Sequence, residues 1–276
     1  MKYLDVKTDY AFKKAFGSEN SKKILLSFLN SLIVFEDNQE IVDLTIVDPY
    51  QIPLIQGMKD TYVDVKAILS NGTRVIIEMQ VLNVEGFEKR VLYNAAKAYC
   101  TQLKKSEKFA TLEPIIALTI TDFYMFENIE NIITYFKLIE KDTLIQYNND
   151  IQLIFIELPK FTKTDLELST ITDKWIYFIQ NAWSLEYIPE SLQGEEEIVE
   201  AFEIINEAAM SDEELDLQWK RQEFILMQKG ALDHAKNQGI KEGVKNTAKK
   251  MLEIGIDKQV IRQVTGLSEG ELEDLG

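Results

Sequence analysis

One cysteine and one histidine in 276 residues rule out several kinds of chemistry. With Cys100 alone, neither an internal disulfide nor a cysteine-based zinc site can form. With His234 alone, His-rich metal sites are excluded, and a Ser-His-Asp triad would need an implausible position in the tail. Long apolar runs are missing too. The longest uncharged apolar stretch, Ile24 to Phe35, is too short to span a bilayer and contains Ser27, Asn30 and Ser31. Lys2, Asp5, Lys7 and Asp9 interrupt the pattern a signal peptide needs. No membrane partner is expected, and a cytoplasmic protein is the natural reading. Repeats and low-complexity tracts are absent as well.

The net charge of −16 argues against a polyanionic partner until its distribution is read. Residues 1–110 hold 15 Lys and Arg against 14 Asp and Glu, whereas residues 111–276 hold 15 against 32. The acidity therefore belongs to the C-terminal part, and the N-terminal part can still present a basic face to an anion. Those C-terminal acids could also dock on that basic face and compete for it with an anionic partner.

The pattern along the chain predicts an α/β core over 1–160 and an all-helical region over 161–276. "DYAFKKAFGSENSKKILLSFLNSLI" reads as two short helices parted at Gly17-Ser18. "IVDLTIVDP", residues 41–49, is strand-like. "DTYVDVKAILSNGTRVIIEMQ", residues 60–80, supplies two more strands, and 113–120, 135–139 and 151–158 are further apolar or alternating runs. "EGFEKRVLYNAAKAYCTQLKKSEK" between them predicts an amphipathic helix. Beyond residue 161 two long helical stretches follow, the second loosened by Gly230, Gly239 and Gly243.

Residues 60–80 pose the chemical question, because Asp64, Glu78 and Gln80 sit in strands that look destined for an interior. A lone buried carboxylate is expensive unless a cation, a proton or hydrogen bonds compensate it. The turn decides whether the three meet. A two-residue Asn71-Gly72 loop sets Asp64 opposite Met79, on the other face from Glu78 and Gln80. A three-residue loop, Ser70-Asn71-Gly72, with Gly72 in a G1 bulge, sets Asp64 opposite Glu78, with Gln80 on the same side. The three-residue loop is expected because it gives the polar groups one another. Two carboxylates roughly 4 Å apart repel by about 4 kcal/mol at an effective dielectric near 20, so a proton or a cation must join them. Oxygen ligands favour Mg²⁺ or Mn²⁺ over zinc. The alternative is a solvated edge hairpin in which Lys66 or Arg74 pairs with the acids.

Arg90, Asn94, Lys97, Thr101, Lys104 and Lys108 recur at spacings of 4, 3, 4, 3 and 4, which makes one helical face. Leu92, Ala95, Ala96, Tyr99 and Leu103 form the face suited to the sheet. A basic stripe beside an acidic metal site suits nucleic acid. The expected DNA contacts are Arg90, Lys97 and Lys104, with Lys13 from the first helix.

An Asp hairpin leading to Glu-x-Gln, with a helix before and a helix after, resembles the PD-(D/E)xK nuclease superfamily. More narrowly, "TDYAFKKAFG", "YVDVKAILSNGTRVIIEMQ", "EKRVLYNAAKAY" and "PIIALTITDF" resemble the bacterial recombination-promoting nuclease and transposase family. The resemblance covers most of the chain and is weakest over 161–230. It implies a restriction-endonuclease-like core, with a central mixed sheet of about four strands between helices, and divalent-metal-dependent cleavage of DNA. By position it makes Asp64 and Glu78 the metal ligands, puts Gln80 where the superfamily has lysine, and makes Asp9 the acid of the first helix. Val63 stands where the motif has proline. Gln80 cannot serve as a base, so water activation falls to the metal or to Lys66, Lys89 or Lys97. Mg²⁺ or Mn²⁺ held by Asp64 and Glu78 would acidify a bound water, which Gln80 orients. The competing reading is a non-catalytic binding module on the same scaffold.

The tail "IDKQVIRQVTGLSEGELEDL" has a helix, Thr-Gly-Leu turn, helix pattern, like a small helix-turn-helix, and also resembles the family's tail. Its acids Asp257, Glu269, Glu271, Glu273 and Asp274 make a poor phosphate-facing surface. Helical packing or homo-oligomerisation through the C-terminal helices is therefore the favoured role for it. Trp175, Trp183 and Trp219 are expected to pack helices.

Overall fold

A computed structural model describes residues 3–35, 40–51 and 61–275. Two helices come first, α1 (Asp9–Phe16) and α2 (Lys22–Asn30). Strands β1 (Leu44–Val47), β2 (Tyr50–Gln51), β3 (Thr61–Tyr62), β4 (Val65–Leu69) and β5 (Arg74–Gln80) lead to helix α3 (Phe87–Cys100). Then come β6 (Ile115–Thr121), β7 (Ile133–Lys137), β8 (Ile151–Glu157), α4 (Ile171–Asn181), α5 (Glu190–Gln193) and α6 (Glu196–Ile204). The chain ends in α7 (Asp212–Glu253), α8 (Lys258–Thr265) and α9 (Glu269–Glu273).

The expected α/β class holds, with a mixed sheet of six strands rather than about four, in the order β1-β4-β5-β6-β8-β7. Pairs β5–β6 and β6–β8 are parallel, and α3 makes the crossover between β5 and β6. Every residue of β6 is buried, as a central strand covered on both faces requires. One face carries the main core, where Phe12 and Phe16 of α1, Phe28 of α2, Trp175 and Phe178 of α4 and Phe202 of α6 pack over Val65, Ile77 and Met79. The other face is covered by α3, whose Ala95 and Ala98 meet Ile76, Ile115 and Ala117.

The chain divides into Met1–Gln222 and Glu223–Gly276. The boundary expected near residue 160 is displaced because α4 and α6 share the core of the sheet. The C-terminal unit has a small core of its own, in which Ala248, Ile261 and Leu272 pack with Met251, Leu252 and Leu267. A helix-turn-helix hairpin runs from α8 through Gly266, at φ 73°, to α9, where Ser268 and Glu271 form a reciprocal cap. Gly230, Gly239 and Gly243 do not interrupt α7, which is 42 residues long. No helix among the described residues is long and apolar enough to cross a membrane.

Candidate active site

The hairpin carries the site, and its register is the one the three-residue loop requires. Val65 pairs with Ile77 and Ile68 with Arg74. Leu69 N–H donates to Thr73 O and Gly72 N–H to Leu69 O, with Gly72 at φ 90°. The ladder ends at Val65, and one residue before it Asp64 still donates its N–H to Ile77 O at 3.0 Å, near enough for its charge to reach Glu78.

The strand expected over 60–69 is broken at that point. Asp60 lies outside the described residues. Thr61 and Tyr62 belong to β3, which pairs with β2 rather than with β5. Asp64 sits in a bend before β4, where its Oδ2 accepts the Met79 N–H at 2.8 Å. The carboxylate thus replaces a backbone carbonyl as the partner of that N–H, and so is fixed at the end of the sheet.

Each carboxylate faces a cation from a different helix. Lys13 Nζ of α1 stands 3.5 Å from Asp64 Oδ1. Arg90 of α3 donates to Glu78 Oε1 at 2.5 Å and to Gln80 Oε1 at 2.6 Å. Asn94 Nδ2 lies 3.4 Å from Glu78 Oε2. Burial pushes the Asp64 carboxyl above its usual range, while the Met79 N–H and Lys13 pull it down and Asp9 adds a push upward. Burial also raises Glu78, opposed by Arg90 and reinforced by the charge of Asp64. The two acids therefore sense each other in a poorly hydrated place. Asp9 is turned to Arg221, 3.5 Å away. At the same end of the sheet Asp122 donates its N–H to Gln80 O and pairs with Lys7 at 3.6 Å.

Helix α3 differs from the expected stripe in two respects. It ends at Cys100, so Lys104 and Lys108 lie beyond it, exposed, and do not continue the row. Its polar residues also face inward: Asn94 and Lys97 are buried, whereas Leu92, expected against the sheet, is 54% exposed. Lys97 is 3% exposed and donates to Thr61 Oγ1 at 3.3 Å, so it offers no ammonium to a phosphate in this conformation. The inward turn is what brings Arg90 onto Glu78. Of the three lysines expected as candidate bases, Lys89 is exposed and Lys97 is engaged with Thr61. Lys66, two residues after Asp64, has its ammonium pKa lowered by burial and then by Arg74.

Two families match by sequence. The family described as PD-(D/E)XK nuclease family transposase matches residues 6–235, more than half of the chain. The chain belongs to this family. Residues 241–276 match the Rpn/YhgA-like nuclease family, C-terminal HTH domain. No match was found among curated proteins or solved structures. Membership supports a nuclease-like role concerned with DNA, and the hairpin that ends in Glu78 and Gln80 lies inside the PD-(D/E)XK match.

The family's members typically use divalent metals. Among the described residues no three His, Cys, Asp or Glu side chains converge closely enough to hold an ion. Two carboxylates do suffice for Mg²⁺, which keeps several waters and takes one or two protein carboxylates beside substrate phosphates. Buried Asn94 Oδ1 accepts no hydrogen bond among the described residues, and an ion's coordinated water could donate to it. The donor set, all oxygen with one orphan acceptor beside Glu78, therefore fits a hydrated hard cation. Inward-facing Asn94 and the pairing of Lys13 with Asp64 escaped the sequence reading. The spacing of Asn94 from Arg90 was visible, but which way that face turned was not.

Proposed function

We propose that the protein is a metal-dependent DNA endonuclease that hydrolyses phosphodiester bonds with low sequence specificity, in the cytoplasm, in the service of recombination or DNA mobility. The observation that carries this reading is that two desolvated carboxylates, Asp64 and Glu78, each with a cation on it, lie near enough for the charge of one to act on the other. Asp64 and Glu78 would hold Mg²⁺ or Mn²⁺, and the ion would supply charge neutralisation at the scissile phosphate and acidification of a water.

The chain's own residues do the remaining work. Arg90 fixes the Glu78 and Gln80 side chains and carries positive charge toward the phosphate. Gln80, a donor and an acceptor but no base, orients the attacking water. Asp9, paired with Arg221, stays outside the donor set of the ion. Lys13 steadies Asp64 and, being partly exposed, can also meet a flanking phosphate. Lys104, outside the helix, adds a screened contact farther along the duplex. The C-terminal helix-turn-helix supplies further DNA binding or holds two copies together.

The test is nicking of supercoiled plasmid in Mg²⁺, with and without chelator, beside Asp64→Ala and Glu78→Ala. Loss of roughly 100-fold or more in both variants, with circular dichroism unchanged, is the expected result. Equal cleavage by wild type and both variants would refute the assignment. Chelator-insensitive DNA binding without cleavage by any form would favour a binding module instead.

A further inference from the structure

Helix α1 has three faces, and one of them is held by a distant part of the chain. Ala11, Phe12, Ala15 and Phe16 enter the core. Lys13 reaches Asp64. The remaining polar side chains meet the start of α7, about 200 residues later. Thr8, the N-cap of α1, donates its hydroxyl to Gln218 Oε1 at 2.7 Å, and Gln218 Nε2 donates to Asp5 O at 3.3 Å. Tyr10 and Lys14 donate to the same Glu214 oxygen at 2.7 and 2.5 Å. Arg221 pairs with Asp9.

Residues 214, 218 and 221 are spaced by four and three, so they lie on one face of α7. Gln218 is buried, although its flanking residues Leu217 and Trp219 are exposed apolar side chains. Leu215 packs on the main core beside it, so this stretch of α7 is placed by its hydrogen bonds to α1 together with that one apolar contact. Hydrogen bonds from Lys14, the Ser211 N–H and Tyr10 hold the Glu214 carboxyl down to about 2, so it is ionised throughout the neutral range. An eight-residue helix has little stability of its own, and its rotation about its axis is set by what it packs on. A small rotation would carry Lys13 away from Asp64.

We propose that the first three turns of α7 are a strut for the cleavage site, in which Glu214 and Gln218 act as positioning residues that hold α1 so that Lys13 meets Asp64. The inference rests on the cleavage reading above and extends it to residues far outside the hairpin. It also extends the nuclease site past residue 160, into α7.

The experiment uses the full-length chain carrying Glu214→Ala with Gln218→Ala, alone and combined with Lys13→Ala. Single-turnover nicking is expected to fall by up to about 10-fold in the α7 variant, no further than in Lys13→Ala itself, as for a misplaced positioning group. DNA affinity should stay within about twofold, because the loss is in the reacting geometry and not in uniform binding. In the Lys13→Ala background the same α7 changes should have no further effect. Losses that multiply in the combined variant would show a general structural role and overturn the strut. Glu214→Asp, which keeps the charge, should restore part of the rate. A wild type that does not cleave would fail the functional reading rather than this one. Amide exchange over residues 9–16 covers that case, since it needs no activity. Faster exchange in the α7 variant supports the strut, and unchanged protection overturns it.

Discussion

Helices α1 and α3 approach the same pair of carboxylates from opposite faces of the sheet, and they do so in different ways. Helix α1 is conventional: Ala11, Phe12, Ala15 and Phe16 are buried, and Lys13 reaches over the edge to Asp64 while staying partly in water. Gly17, at its end, lets the helix come close to β4, since a Cβ there would meet Lys13 O at 2.9 Å and Val65 Cγ2 at 3.3 Å. Helix α3 is inverted. Arg90, Asn94 and Lys97 look toward the sheet, and Leu92 looks away. The two cations are similarly exposed, 44% for Lys13 and 39% for Arg90, and differ instead in how they bind. Arg90 donates two short charge-assisted bonds, at 2.5 and 2.6 Å, where Lys13 makes one ion pair at 3.5 Å, so α3 should matter more to the site than α1.

The sharpest test of that contrast pairs Arg90→Ala with Lys13→Ala in the nicking assay. Arg90→Ala should reduce the rate by about 100-fold, because Glu78 and Gln80 both lose their anchor. Lys13→Ala should reduce it by roughly 10-fold, since only a single 3.5 Å ion pair is lost. Equal losses would abolish the distinction between the two helices.

Stability offers a second way to separate them. Lys97→Met should lower unfolding free energy by about 1–3 kcal/mol in a denaturant titration, since it removes a buried donor from its partners. The salt slope of DNA binding should not change. Lys104→Ala should do the reverse, leaving stability alone and reducing that slope by about one. If Lys97→Met instead flattened the slope, the lysine would have to reach phosphates.

Asp64 carries a pH prediction. Burial raises its carboxyl, so the ionised form is disfavoured in the folded state. Its contribution to stability is therefore present below its unfolded pKa and fades as pH rises through the raised folded value. Asp64→Asn removes that titration. Without metal, the variant should melt above wild type near pH 8, with the difference closing toward about pH 4. Mg²⁺ should raise the wild-type Tm and leave that of Asp64→Asn where it was. A variant that melts lower at every pH would mean that Lys13 outweighs burial.

The smallest effect is expected on the outer face of α3. Leu92→Ser should change stability by no more than about 0.5 kcal/mol, as for an exposed position. A loss several times larger would mean that Leu92 is covered, by a second copy or by another segment.

Much of the hairpin was legible without coordinates. The period of two in the strands, with Ser70-Asn71-Gly72 as the loop, specifies one register, and the alternative would separate Asp64 from Glu78. The buried strands at 113–120 and 151–158 announced themselves by apolar runs, although the edge strand β7 began two residues earlier than its alternating pattern suggested. The helix-turn-helix at the end was visible in the Thr265-Gly266-Leu267 turn, and the Ser268 cap emerged with the structure. These are local features, settled by backbone sterics and by the alternation of side chains within a few residues.

The orientation of α3, the end of that helix at Cys100 and the grip of α7 on α1 were decided by tertiary structure alone. Helical spacing groups Arg90, Asn94 and Lys97 on one face, but it cannot say whether that face meets water or Glu78 and Thr61. The answer depends on partners supplied by β3 and β5, and for α1 on residues about 200 positions away. A polar side chain is stable inside only when such partners arrive, and their arrival is a property of the packed chain rather than of any stretch of it.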